Sequence, residues 1–137
     1  MMMAIVRNFT LGRYVPWGGD MSQASFVFIG YNWADAAIKM QLKTDLSSSA
    51  VATLTEADWG DEGIYRMYYP EIIHPQSREQ VGGTILAPFM TEATIEGLSY
   101  SGTTDLVLYY DMHVTPVSEV KRTVAEGTLT IKTGVTQ

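Results

Sequence analysis

Only two histidines occur in the chain, and one of them, His113, follows Asp111 by two residues in an alternating stretch. At that spacing an extended backbone sends both side chains out of the same face, so the pair can touch or offer two donors to a metal. Two ligands without a third are a weak metal signal, which favours a structural or surface role for both. His74 stands in no recognisable motif. A hydrolase needs an activated nucleophile with a base in reach, and no such constellation is visible. A small β-enzyme built on His113 and Asp111 is the weakest of the readings. The expectation is therefore a protein that is not an enzyme, with no catalytic residue, no metal and no cofactor.

The acids Glu56, Asp58, Asp61 and Glu62 form a second candidate. Calcium would take their oxygens, but the Asp-x-Asp-x-Asp-Gly spacing of a dedicated loop is missing, so a solvated turn is expected. Aromatic residues are the richer set: Trp17, Trp33, Trp59, Tyr31, Tyr68, Tyr69, Tyr100, Tyr109 and Tyr110. Exposed, such rings anchor a protein interface or stack on sugars; buried, they fill a core. The adjacent pairs Tyr68-Tyr69 and Tyr109-Tyr110 place one ring on each side of a strand. Trp17, Phe26, Phe28, Trp33, Tyr69, Tyr109 and His113 are the expected interface residues. Trp17, Trp33 and Trp59 would serve the alternative, a module that stacks on host glycans.

Strands must position these groups. In residues 105–115, Leu106, Leu108, Tyr110, Met112 and Val114 share one face, and Val107, Tyr109, Asp111 and His113 share the other. A turn at residues 116–119 leads to a return strand through Lys132, with Gly127 as a bulge or close-packing point. Residues 37–43 alternate without a fault: Ile38, Met40 and Leu42 face a core, while Lys39, Gln41 and Lys43 face water. Residues 25–31 are apolar on both faces, which suits a central strand or one covered by a partner chain. Further strands are expected near residues 9–15, 50–55, 64–69 and 84–98, and no window has a helical period. The prediction is an all-β chain, an antiparallel immunoglobulin-like β-sandwich of about seven to nine strands. It forms a single domain over residues 1–137 with a short flexible N-terminus.

Composition narrows the partners. The chain has 137 residues, enough to bury roughly two thirds of its unfolded surface in one core. Nine Lys and Arg against fifteen Asp and Glu give a net charge of −6, without the basic face that nucleic acid requires. Cysteine is absent, which excludes disulfides and thiolate chemistry. No stretch reaches the length of apolar residues that a membrane span needs, so a soluble protein made in a cytoplasm is expected, with no membrane partner.

Two regions also carry a family resemblance. Gly19-Asp20, then Phe26-Val27-Phe28, then Gly30-Tyr31-Asn32-Trp33 and the strand ending Met40-Gln41-Leu42-Lys43 form one. Tyr109-Tyr110-Asp111-Met112, Glu126-Gly127 and Val135-Thr136 form the other. Together they resemble small bacteriophage and prophage tail proteins related to the N-terminal domain of the baseplate upper protein. The resemblance brackets the chain and skips residues 56–102. It implies an immunoglobulin-like virion component, a tail or baseplate adaptor or appendage-docking subunit, made in the bacterial host and bound to other virion proteins. Homo-oligomers, as trimer or hexamer, go with a place on a tail axis. A capsid decoration protein is the neighbouring alternative.

Overall fold

The computed structural model describes residues 4–18, 24–45, 47–100 and 104–133. Within them the chain forms β1 (Ile5–Val6), β2 (Phe9–Gly12), β3 (Trp17–Gly18), β4 (Phe26–Ile29), β5 (Ala37–Lys43) and β6 (Ala52–Thr55). It continues as β7 (Gly63–Tyr69), β8 (Gly83–Met90), a short helix α1 (Glu92–Glu96), β9 (Leu106–Thr115) and β10 (Arg122–Lys132). Gly19 and Asp20, Val135 and Thr136, and the N-terminal residues 1–3 lie outside the described residues.

The larger sheet is built on the β9–β10 hairpin. β5 pairs antiparallel with the other side of β9, and β6 with β5. β1 and β2 lie end to end along the free side of β10 and run parallel to it, so the sheet is mixed where an antiparallel one was expected. Gly127 explains how they come so close: a Cβ there would stand 1.9 Å from the Arg7 carbonyl oxygen, and its φ is +157°. The bulge falls three residues earlier, between Thr123 and Ala125. Of the inward set expected on this sheet, Ile38, Met40, Leu42, Leu108, Tyr110, Met112 and Val114 are buried, and Leu106 is half-buried against the same core.

β8 is the axis of the smaller sheet. β7 runs antiparallel along one side of it, and β4 and β3 share the other. Inward side chains of the two sheets meet in one hydrophobic cluster. Rings mark the junction, with Phe26 of β4 at 6.1 Å from Phe9 of β2 and 6.4 Å from Tyr110 of β9, centroid to centroid. Thr84 is the buried polar residue of this core: its Oγ1 accepts from the Trp33 N–H at 3.0 Å and donates to the Tyr31 carbonyl at 2.8 Å. Both backbone groups belong to a turn that leaves the sheet, so the hydroxyl supplies the partners that a strand neighbour would otherwise give.

Three expectations need correction. The described residues hold ten strands, more than the seven to nine expected, because β1 and β3 are two-residue pieces that show no alternation. β4 lies at the sheet margin, bonded only to β8, where a central strand was one of the two readings. A helix also forms where none was expected: Thr91 caps α1, its hydroxyl accepting from the Thr94 N–H, and Gly97 closes it. With five residues, of which Ile95 alone is buried, α1 is too short to show a helical period.

Candidate docking face

Since Phe26 and Phe28 point inward, Val27 and Ile29 must point outward, and the strand register extends that outer face across the smaller sheet. Met67, Ile85 and Val27 form its middle row. Tyr69, Gly83 and Ile29 form the next, and Tyr65 stands beside Ala87 on the other side. Phe89 closes the row beyond. None of these positions carries a charge. Val27 keeps 45 % of its surface exposed and Ile29 36 %, while Tyr65, Met67, Tyr69, Ile85 and Phe89 are half-buried. Apolar side chains gathered on one outer sheet face make it a candidate contact surface.

Both ends of the face extend it. At the Tyr65 end, Trp59 is half-exposed and stands edge-on to Tyr65 with centroids 5.2 Å apart. At the Tyr69 end, Ile72 covers the flat spot left by Gly83, where a Cβ would meet its Cδ1 at 2.9 Å. Ile73, beside it, is more than half exposed. The outer face of the larger sheet is different in kind. Lys39, Gln41 and Lys43 on β5 stand across from His113, Asp111 and Tyr109 on β9, and Thr123, Glu126 and Thr128 on β10 stand on their other side. That is a mixed polar surface with Tyr109 as its exposed ring.

The expected interface residues divide accordingly. Trp17, Phe26, Phe28 and Trp33 are each at most 4 % exposed and belong to the core, so their rings offer no surface to a partner. The correction has a simple cause: the bulkiest rings have the most surface to remove from water and take the inward phase of β4 and its flanks. Tyr69 lies on the apolar face, Tyr109 and His113 on the polar one. Tyr110 is buried and Tyr109 exposed, the division expected of adjacent strand tyrosines. Val27, Ile29, Tyr65, Met67, Ile85 and Phe89 were not singled out, and the signal that could have found them was the two-sided apolar run at residues 25–31.

Several of the polar candidates make local contacts. His113 Nε2 is 3.7 Å from Asp111 Oδ2, and no group of three metal-ligating side chains forms among the described residues. His74 Nδ1 accepts the backbone N–H groups of Gln76 and Ser77 and so holds a turn. Glu56 pairs with Arg66 at 2.7 Å, and Arg66 also donates to the Ala36 carbonyl. Glu62 accepts from the Thr91 N–H at 2.8 Å and from the Thr94 hydroxyl at 3.0 Å, tying β7 to the start of α1. Asp58 and Asp61 are left exposed at the turn. No family model matches the chain, and no curated protein is similar to it.

Proposed function

We propose that the chain is a structural subunit of a phage virion, a tail or baseplate adaptor that works by lending its surfaces to neighbouring proteins. The observation that carries this reading is the uncharged apolar outer face of β4, β7 and β8. Such a face costs solubility when left open and is stabilised when a neighbour covers it. The likeness of residues 19–43 and 106–136 to phage tail proteins supplies the setting, and the strand order suits the fold that it implies. On this reading β4, β8 and β7 would take the part of strands B, E and D of an immunoglobulin-like sandwich, and β10, β9, β5 and β6 that of strands G, F, C and C′. In this reading the protein is incorporated in the particle as a trimer or hexamer on the tail axis and binds other virion proteins.

Mass spectrometry of purified particles from the phage or prophage that encodes the chain tests the proposal. It should be present in a fixed ratio to a known tail protein, in multiples of three or six per tail. Absence from intact particles would contradict it. A second reading, glycan recognition, draws on Trp59, the one tryptophan exposed among the described residues. Silence on a glycan array, with no loss of any sugar binding after Trp59→Ala, would remove it.

A further inference from the structure

We infer that a hollow on the outer face of the larger sheet, near the turn that joins β9 to β10, binds a phosphate group. Two neighbouring rows of the strand register build it. Ala37 of β5 stands across from Thr115 of β9, and Lys39 across from His113, with Thr123 of β10 on the other side of His113. Ala37 and Thr115 carry the shorter side chains, so the sheet dips at their row. Lys39 and His113 line the dip from the next row and Lys121 from the chain entering β10, and the hollow measures about 210 Å³. That is below the roughly 300 Å³ at which pockets for drug-sized molecules begin, so the space suits one small group. The inference goes beyond the virion reading and concerns the opposite sheet from the docking face.

Charge selects the ligand. The chain carries −6 overall, yet the residues that line this hollow include two lysines and a histidine and no acid. Lys39 and Lys121 are exposed, and neither makes an ion pair among the described residues. Asp111 stands one row further along β9, with its Oδ2 3.7 Å from His113 Nε2, and Glu126 faces Asp111 from β10. Asp35 and Glu119 border a separate hollow, and Glu119 is paired with Arg122 at 2.8 Å. An anion in the hollow therefore meets two ammonium groups at its wall and no carboxylate. Donor geometry narrows the class. A planar carboxylate is best met by the forked guanidinium of arginine, and no arginine lines the hollow. Lysines act as point charges. With the Thr115 hydroxyl and the His113 imidazole they offer donors from β5, β9 and the approach to β10, which suits the several oxygens of a tetrahedral dianion.

Amide NMR of the full chain, titrated with inorganic phosphate at constant ionic strength, tests the site. The signals of Lys39, His113, Thr115 and Lys121 should shift together and saturate, with a dissociation constant of about 1–10 mM. Lys39→Gln and Lys121→Gln should each weaken binding about three- to tenfold. Ala37→Leu, which fills the dip from an exposed position, should abolish it. Lys43→Gln, on the same face at the other end of β5, should leave it unchanged. The amide spectrum of each variant also reports whether the fold is intact, which separates lost binding from lost structure. Glycerol 1-phosphate supplies a second arm. Binding of the bare ion as tight as that of the ester assigns the site to free phosphate, and tighter binding of the ester assigns it to phosphate carried on a larger molecule. Shifts that stay linear up to about 100 mM phosphate overturn the inference. So does a loss with Lys43→Gln as large as that with Lys39→Gln, which would mark general attraction of an anion to surface lysines.

Discussion

A hydroxyl, a phenol and a glycine carry the most exposed claims at the level of single residues. Thr84→Val preserves shape and removes the hydroxyl that serves both the Trp33 N–H and the Tyr31 carbonyl. Leaving two buried backbone groups without a partner should cost about 2–4 kcal/mol in denaturant unfolding. Gly127→Ala should cost about 3 kcal/mol, since its methyl meets the Arg7 carbonyl and β1 and β2 must move off β10. Tyr110 donates its hydroxyl proton to the same carbonyl at 2.7 Å, and burial, against the pull of the nearby Arg7 guanidinium, pushes its phenol up to about 12. The folded value lies above the unfolded one of about 10, so the native state holds its proton longer. That part of the stability is complete below pH 10 and lost as pH rises from 10 toward 12. Tyr110→Phe should cost about 1 kcal/mol at neutral pH and flatten the alkaline decline. Equal steepness in both proteins between pH 10 and 12 would refute the assignment.

Among the elements, α1 stands on its cap. Thr91→Ala removes the hydroxyl that accepts from the Thr94 N–H and one of the donors to Glu62, and it should lower stability by about 1 kcal/mol. Thermal melts of the two proteins measure it. β5 and β9 could be read from sequence because one side of each is polar, which gives the alternation a phase. β4 could not be phased that way: Phe26, Val27, Phe28 and Ile29 are all apolar, and only its pairing with β8 tells inside from outside. The same ambiguity hid the docking face, whose rows join residues 14 to 58 positions apart and exist only through the register of three strands. Of the extended chain expected over residues 84–98, β8 accounts for the part through Met90, with Pro88 in register with Ile64, and α1 takes residues 92–96.

At the scale of the molecule, two sheets share one core and differ in what they turn outward. The larger shows lysines, acids and threonines to water. The smaller shows Tyr65, Met67, Tyr69, Ile85, Val27 and Ile29, with Trp59 at its end. That asymmetry is the basis for reading the protein as a part that is covered by neighbours. Hydroxyl-radical footprinting of the protein at dilute and concentrated extremes tests it most directly, since Trp, Met and Tyr are reactive side chains, all three present on the smaller sheet's face or at its end and Tyr109 on the larger sheet's. Oxidation of Trp59, Met67 and Tyr69 should fall with concentration while that of Tyr109 stays constant. Protection of Tyr109 with Met67 and Tyr69 left open, or no protection at any concentration, would contradict the account.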